Sequence, residues 1–587
     1  MTQLGFRTRG HKVATLVPQG DAHSLPERIP FYVIPTGWIL PREAPAIYKE
    51  AVFTWPFDVL SARWAGNHEE RMKKSVYHGE FTRREGRWGT HWRAEFDGFT
   101  KPGVYQIETE RQFSLPFQVG DNIYERLVRG YMIYLHSQRA GCEVPGIRPA
   151  ENVDDAVLDT DGSYVPASGG WFDAGDTRKW MSLTAFNVEG LYAAWHCGPA
   201  FRTQVLDEID WGNRWMHAMV SPEGQVWEDI GGGTFRGESY EESWWVENHP
   251  GGSADNTGNT ITDNIPMSGD ERTIRTTYNP WVQFGFVRHQ AMASTILPPT
   301  DSAKCLFLAE KAWRVGVQRG HDRRTLFVSA QLRAALELVA AGSKVATAGD
   351  VTSLARELLS RQDPGGEGLS HYFLEKDATD AFRCIAFSCD PPLTLLHLCE
   401  LKPASAGEVV AAAEQAVRNY IDHYLLADAA SNPYGVTPYG AFIQQPHPEA
   451  QTYRPAGRGR GVRTFINPFN KAFLIHGTNG VVMAQAHLLA RAGKYFGNAA
   501  YSAHAELLLQ WSMGHNPTGL STFTGIGCRH PVPYSLLNLS IPEAVLNGFV
   551  GRPDDSPYLE TGNTSQWNTQ EVWGIPYMHA MGAIANL

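Results

Sequence analysis

The segment GGWFDAGDTRKW, Gly169 to Trp180, decides how the rest of the chain is interpreted. Two glycines and two aromatic residues frame the carboxylates of Asp173 and Asp176, which stand just ahead of a predicted helix. Glycines let a backbone turn where side chains would clash. One reading is that Asp176 or Thr177 caps that helix. Capping needs neither a second carboxylate nor this glycine and aromatic frame, so the segment indicates a rigid loop that presents two acids to one target.

The composition is that of a globular protein with unusually many aromatic side chains. The 587 residues are 43% hydrophobic and 19% charged, and 18 of them are Trp. Tryptophans serve either as large core side chains or as flat apolar faces in a cleft, which suit sugar rings. The formal net charge is −11 and the basic residues are scattered. A nucleic-acid partner would require a basic stripe, so we expect none.

Cysteine usage and hydropathy indicate the cellular compartment in which the protein is expected. The seven cysteines show neither disulfide-framework nor zinc-site spacing, which indicates reduced thiols. The first twenty residues lack the apolar run of a signal peptide, and no run of eighteen apolar residues occurs. We therefore expect a cytoplasmic protein without a membrane partner. The sequence leaves open whether the chain forms a homodimer.

Residues 1–119 are predicted to form an immunoglobulin-like β-sandwich domain. Short runs of β-branched and aromatic residues alternate there, with Gly and Pro between them, as is typical of strands in such a sandwich. The predicted strands are VATLVP (13–18), FYVIPTGW (31–38), AVFTWPFDVL (51–60), HWRAEF (91–96) and GVYQIET (103–109).

Residues 120–587 are predicted to be mainly α and to form an (α/α)6 barrel. Apolar residues recur there at helical spacing in twelve segments. These are 121–141, 180–196, 203–219, 277–294, 302–318, 323–341, 350–360, 380–400, 405–425, 469–492, 498–514 and 568–586. A longer helical solenoid is the alternative, but no fixed repeat is visible. The long connectors 143–176, 221–276, 427–468 and 515–567 are rich in aromatic residues, which favours a cleft at one end of the barrel.

The segment quoted first resembles the GGWYDAGDxxKF signature of glycoside hydrolase family 9, with Phe172 in place of Tyr. Other segments are similar to further family motifs in the same order: SLPFQV (114–119), YLHSQRAG (134–141), VLDEIDWGNRWMHAMVSPEGQVW (205–227), IHGTNG (475–480), WSMGHNPTGLSTFTGIG (511–527) and NTQEVWGIPYMHAMGAIANL (568–587). The resemblance covers nearly the whole chain. It implies an inverting β-glycosidase with an Ig-like domain before its (α/α)6 barrel.

The resemblance also implies the catalytic roles. Asp176 would be the general base, Asp173 would hold the same attacking water, and Glu571 would be the general acid. On its own, Glu571 would be read as an ordinary first-turn helix residue. The resemblance implies no required cofactor. It also assigns substrate contacts to seven further residues, namely Trp171, His476, Asn479, Arg529, His530, Trp567 and Tyr577.

Three segments depart from the family pattern where sugar is usually bound. The tail reads QWNTQE (566–571) in place of DYxxNE, CRHPVPYS (528–535) replaces the HHR segment, and His476 replaces a Trp. Together with the absent export signal, they favour exo-action on short oligosaccharides. The candidates are glucosamine (chitosan) oligomers, which would suit the acidic loop 221–276, and cello-oligosaccharides. An endo-β-1,4-glucanase remains the alternative.

Other classes of function stay open at this stage. A sugar-binding protein without catalysis would not need the three acids. A phosphorylase on the same barrel would need a basic pocket where the two aspartates stand. Zinc is not expected, because Ala140 replaces the motif's Cys and no Cys-His pair precedes Gly169. Calcium could bind at acidic loops such as DTDG (Asp159–Gly162), although a solvated turn explains that segment equally well.

Overall fold

The computed structural model describes residues 1–18, 22–36, 71–110, 112–175, 177–184, 186–231, 262–385, 387–403, 406–466, 477–533, 541–561 and 567–587. The predicted strand at 51–60 lies outside the described residues. No helix in these ranges is long and apolar enough to cross a membrane.

The N-terminal strands form a six-stranded antiparallel sheet in the order β1-β4-β3-β2-β5-β6. They are β1 Val13–Leu16, β2 Arg28–Pro35, β3 Tyr77–Gly86, β4 Gly89–Glu95, β5 Gly103–Glu108 and β6 Phe117–Val119. Aromatic side chains such as Phe31, Phe81 and Trp92 fill a core of this domain's own. The sequence did not predict β3, whose segment YHGEFTRREG carries many charges because most of its side chains are exposed or half-buried.

Twelve long helices follow in the described residues. They are α1 Glu125–Ser137, α2 Asn187–Cys197, α3 Arg202–Ala218, α4 Pro280–Ser294, α5 Pro299–Arg319, α6 Thr325–Ala340, α7 Ala348–Ser360, α8 Asp390–Leu401, α9 Gly407–Tyr420, α10 Asn479–Phe496, α11 Ala499–Ser512 and α12 Gly574–Ile584. Helix α9 continues through a π-helical stretch, Ile421–Leu426, into Ala427–Ala429. The predicted start of α8 at residue 380 is wrong. Pro391 and Pro392 place the start at Asp390, since proline is tolerated only in a helix's first turn.

The even-numbered helices α2 to α12 form an inner ring, in which each packs on the next and α12 closes against α2. Burial separates inner from outer helices. Every residue of α4 from Val282 to Ser294 is buried, whereas α5 buries a stripe that includes Cys305, Ala309 and Ala312. A stripe at this spacing marks a helix with one face toward the core. The predicted fold class, an Ig-like domain followed by an (α/α)6 barrel, is confirmed.

The two ends of the barrel differ in their connections. Long segments precede the N-termini of α2, α4, α8, α10 and α12. Short turns follow the C-termini of α2, α4, α6, α8 and α10. Successive helices are antiparallel, so the long segments gather at one end of the ring. We call this the loop end, and we call the opposite end the turn end.

Short strands and helical turns order the described parts of the long connectors. The strands are β7 Val157–Leu158, β8 Lys179–Trp180, β9 Asp229–Gly231, β10 Thr273–Arg275, β11 Gly440–Phe442, β12 Arg454–Pro455, β13 Gly461–Arg463, β14 Val550–Gly551 and β15 Pro557–Tyr558. The turns of helix in these connectors are Met181–Thr184, Lys376–Ala378 and Trp567–Gln570. Two further turns lie elsewhere: Ala22–Ser24 in the β domain and Pro199–Phe201 between α2 and α3. The sheet β7-β10-β9-β8 ties the segment before α2 to the segment before α4.

The β domain is bound to the barrel through polar contacts on the outer helix α11. Arg7 Nε lies 2.6 Å from Glu506 Oε1, and the side-chain amide of Gln510 donates to the carbonyl of His11 at 2.6 Å. The side chain of Gln3 donates to the carbonyls of Gly519 and Arg529. The last strand of the β domain ends at Val119, and α1 begins at Glu125.

Candidate active site

The segment GGWFDAGD lies at the loop end, between α1 and α2, and its turn requires glycine. Gly169 and Gly170 have φ values of +93° and +75°, in the left-handed region that other residues rarely adopt. A Cβ atom on Gly170 would lie 2.7 Å from Cγ of Trp215. The close approach lets the indole of Trp211 donate to the carbonyl of Gly170 at 2.7 Å.

The end of α1 holds the part of the loop that carries Asp173. The side-chain amide of Gln138 donates to the carbonyl of Ala174 at 2.7 Å, and the amide of Phe172 donates to the carbonyl of Gln138 at 2.8 Å. The amide of Asp173 itself donates to the carbonyl of Arg178 at 3.1 Å. Asp173 is therefore a buried carboxylate on a backbone fixed from both sides.

A buried ion triad of Asp155, Lys179 and Arg272 supports the loop through hydrogen bonds to its backbone. Asp155 lies 2.6 Å from both Lys179 Nζ and Arg272 Nη2. Lys179 also donates to the carbonyl of Gly169 at 3.0 Å, and Arg272 donates to the carbonyl of Thr177. Burial lowers the pKa of Lys179 to about 8. Burial alone would raise the pKa of Asp155, but the charges of Arg272 and Lys179 outweigh it and lower that pKa.

Three sequence motifs meet in a second support, which we call the Glu208 hub. Arg139 of YLHSQRAG lies 2.9 Å from Glu208 of the VLDEIDW segment. The indole of Trp171 donates to the same carboxylate at 3.0 Å. Trp171 is fully buried, so the structure gives it a supporting position in place of the predicted contact with sugar.

Glu571 lies at the same end of the barrel, just before α12, and a strap of residues 546–548 holds it. The backbone amide of Asn547 donates to the carbonyl of Glu571 at 2.7 Å. The side-chain amide of Asn547 donates to Glu571 Oε2 at 3.4 Å. Leu546 and Val572 form a backbone bridge beside this contact. The residue is half-buried.

Tyr134 lies near both Asp173 and Glu571, which the sequence associates only through the family resemblance. Burial raises the pKa of this tyrosine, and the nearby charges of Asp173 and Glu571 raise it further. Both carboxylates therefore lie close enough to act on one phenol. Sequence reasoning did not single out Tyr134 as a site residue, although it stands at the start of the YLHSQRAG motif.

The remaining predicted residues fall into three groups. Asp176, His476 and the side chain of Trp567 lie outside the described residues. Asn479 and Tyr577 are buried and bind backbone: the amide of Asn479 donates to the carbonyl of Leu546, and the hydroxyl of Tyr577 donates to that of Leu127. Their predicted contacts with sugar are thus replaced by supporting positions. Arg529 and His530 are exposed.

Two of the segments that depart from the family pattern touch each other. The side-chain amide of Gln570, from QWNTQE, donates to the carbonyl of Val532, from CRHPVPYS, at 3.1 Å. Gln570 is itself buried. This contact joins the two segments at Gln570, the residue directly before Glu571.

The turn end holds a different arrangement, a polar cavity of about 610 Å³ inside the ring. Glu189, Glu337 and Glu400 lie against guanidinium groups. Glu189 pairs with Arg288, Glu337 with Arg333 at 2.8 Å and Glu400 with Arg491 at 2.8 Å. Burial alone would raise the pKa of Glu337, but the charges of His397 and Arg333 lower it well below its ordinary value. The pKa of Glu400 is lowered beside Arg491 in the same way.

In the acidic loop DTDG, which the sequence offered as a possible calcium site, both aspartates accept hydrogen bonds from protein groups. Asp159 accepts from the hydroxyl of Thr276 at 2.6 Å, and Asp161 accepts from the amide of Ser163 at 2.9 Å. Among the described residues, the group that could hold a metal ion is Asp154, Asp263 and Asp270. The loop 221–276 supplies two of these, but its residues 232–261 lie outside the described ranges.

Comparisons of the sequence with known proteins identify a glycoside hydrolase family. The sequence model of Glycosyl hydrolase family 9 matches residues 124–542. Endoglucanase C of Cellulomonas fimi is 23% identical over 194 residues, which cover 26% of this chain and 17% of that protein. The match thus spans less than a fifth of the relative's length.

Solved structures resemble the chain over its full length. A metagenome-derived glycoside hydrolase family 9 endoglucanase superposes with a TM-score of 0.70 at 18% identity, covering 100% of this chain and 98% of the other. A thermostable endoglucanase from Alicyclobacillus acidocaldarius gives a TM-score of 0.67 at 15% identity, with coverages of 100% and 98%. At these identities the likeness establishes the fold.

Proposed function

This chain belongs to glycosyl hydrolase family 9 and is a glycoside hydrolase, and on that premise we propose that it hydrolyses β-1,4-glycosidic bonds with inversion. The observation that supports the proposal is that the charges of Asp173 and Glu571 both raise the pKa of the buried Tyr134. Two motifs from opposite ends of the barrel sequence thereby supply acids to the surroundings of one phenol. Asp173, on its braced loop, and Glu571, on its strap, have the fixed positions that catalysis requires.

In the proposed reaction, ionised Asp176 takes a proton from a water molecule that Asp173 helps to hold. That water attacks the anomeric carbon while Glu571 gives its proton to the departing glycosidic oxygen. One C–O bond forms, one breaks, and the configuration inverts. Inverting enzymes keep the base and acid carboxyl groups about 6.5–9.5 Å apart to admit the water. No cofactor enters these steps.

We further propose exo-action on short oligosaccharides of glucosamine or glucose units. The contact between Gln570 and Val532 supports this choice, because it joins two of the three departures from the family pattern and Gln570 directly precedes Glu571. Endo-cleavage of a β-1,4-glucan is the second candidate, and it is favoured by the relatives, several of which are named endoglucanases.

One set of incubations tests the reaction and the substrate. Hexamers of glucose and of glucosamine are incubated with the protein, and the products are followed by proton NMR and by size. We expect the α-anomer first, whereas β-anomer first would exclude inversion. Single sugar units accumulating from the start support exo-action, and mid-sized fragments from the start indicate an endo-enzyme.

A further inference from the structure

The polar cavity at the turn end is lined by residues from all six inner helices. Along α2 the lining residues are Glu189, Tyr192, Ala193 and His196, which repeat at the spacing of one helix face. Glu189 is buried and His196 is exposed, and seven residues of helix separate the two by about 10 Å. The cavity is therefore a shaft that opens to solvent at the turn end, away from the loop end where the proposed catalytic acids lie.

Charges in the wall of this cavity are balanced pair by pair. Each of three glutamates lies against one arginine, which is how buried charges are ordinarily accommodated. The lysine of the lining, Lys494, is exposed to solvent at the mouth. A charged ligand would add a further charge that the wall does not compensate, so a neutral ligand suits it best. The three pairs are Glu189 with Arg288, Glu337 with Arg333 and Glu400 with Arg491.

Arg333 lines the cavity and keeps hydrogen-bond donors that the described residues do not use. Its side chain is only 4% exposed, and its Nε donates to Glu337 Oε1 at 2.8 Å. Its Nη2 lies 3.6 Å from Glu189 Oε1, which is beyond hydrogen-bond length. A guanidinium carries five N–H groups, and buried polar groups are ordinarily satisfied. The acceptors for this fork must therefore come from whatever fills the cavity.

Unused acceptors stand beside these donors. Oε1 of Glu337 lies 2.8 Å from Arg333 Nε and 3.1 Å from His397 Nε2, whereas Oε2 accepts no hydrogen bond within the described ranges. Oε1 of Glu189 likewise meets the guanidinium of Arg333 only at 3.6 Å. An anion would offer acceptors alone and a cation donors alone. A hydroxyl group offers one donor and two lone pairs, so it satisfies both sides of this wall.

We propose that the turn-end cavity binds a neutral mono- or disaccharide, at a site separate from the catalytic cleft. Neighbouring hydroxyl groups of the sugar accept from the guanidinium of Arg333 and donate to the carboxylate of Glu337. The cavity of about 610 Å³ falls within the range of small-molecule sites. Tyr192 and Tyr495, both half-buried in its lining, add aromatic surface that suits the C–H faces of a sugar ring.

Calorimetric titration of glucose into the full chain tests the site. Ala340, at the end of α6, lines the cavity but is exposed, so Ala340→Trp fills the shaft and spares the core. We expect this variant to lose glucose binding. Ala411→Trp, at an exposed alanine of the outer helix α9, is the matched control and should bind as the parent does. Arg333→Lys keeps the charge but loses the fork, so we expect binding to weaken about tenfold or more.

Charged sugars test the class of ligand. Glucosamine and glucose 6-phosphate bring a cation and an anion to a wall whose charges are already paired, so we expect both to bind more weakly than glucose. The proposal fails if either binds more tightly than glucose, or if glucose at millimolar concentrations produces no heat. It also fails if Ala340→Trp binds glucose as tightly as Ala411→Trp does, because the sugar would then lie elsewhere in the molecule.

Discussion

The loop end and the turn end of the barrel both carry carboxylates, but different groups hold them. At the turn end, Glu337 lies 2.8 Å from Arg333, and the pairing keeps its pKa low. At the loop end, the described hydrogen bond to the carboxylate of Glu571 comes from the neutral amide of Asn547. A carboxyl beside a guanidinium stays ionised, whereas a general acid must carry a proton. We therefore expect the partner to distinguish the structural carboxylates of the turn end from the proposed general acid of the loop end.

The largest expected effect is on the rate at the loop end. Glu571→Gln keeps the shape of the side chain but removes the proposed acid, so we expect turnover to fall by about 10²–10⁴-fold. The melting temperature should change little, because the amide of Gln can still contact Asn547. Glu408→Gln, whose side chain is 81% exposed on an outer helix, is the control. Near-normal turnover in Glu571→Gln would remove this residue from the mechanism.

The same substitution at the turn end should have the opposite profile. Glu337→Gln removes the nearer of the two carboxylates beside the buried guanidinium of Arg333 and leaves Glu189 at 3.6 Å. We therefore expect the free energy of unfolding to fall by about 3 kcal/mol. Chemical denaturation measures this loss. The rate per folded molecule should stay within twofold of the parent. A variant that is as stable as the parent but slow would show that the turn end takes part in catalysis.

A smaller loss of stability is expected at the Glu208 hub. Trp171→Phe removes the indole N–H that donates to Glu208, and hydrogen bonds to charged groups contribute about 1.5–3 kcal/mol. Denaturation should therefore show a loss of about 2 kcal/mol, with KM for oligosaccharide unchanged. A raised KM at unchanged stability would restore the predicted contact between Trp171 and sugar.

The smallest effect is a change in how stability depends on pH. A carboxyl whose pKa is lowered by folding stabilises the protein above its unfolded pKa, and this stabilisation is lost as pH falls. The glutamates of the turn end have such lowered pKa values. The free energy of unfolding should therefore decline as pH falls below about 4.5, the ordinary glutamate value. Glu337→Gln should decline less steeply, and an unchanged slope would contradict the pairing.

The sequence alone determined the classes of element, and its motifs supplied the candidate acids. Apolar spacing predicted the twelve helices because helical periodicity is a local property. The motif around Asp173 and the tail around Glu571 were readable because their residues are contiguous. The apolar pattern by itself placed the start of α8 too early. Pro391 and Pro392 indicate the true start at Asp390, because proline belongs in the first turn of a helix.

Only the tertiary structure decided which side chains meet. Trp171, Asn479 and Tyr577 stand in segments that resemble family motifs, but whether an aromatic or amide group faces sugar or core depends on helices from elsewhere in the chain. Arg333 and Glu337 are four residues apart on one helix. The pairs of Glu189 with Arg288 and of Glu400 with Arg491, like the group Asp154, Asp263 and Asp270, join residues with no common spacing. Such contacts arise when antiparallel helices close a ring and bring distant connectors to one end, and local sequence patterns carry no record of that closure.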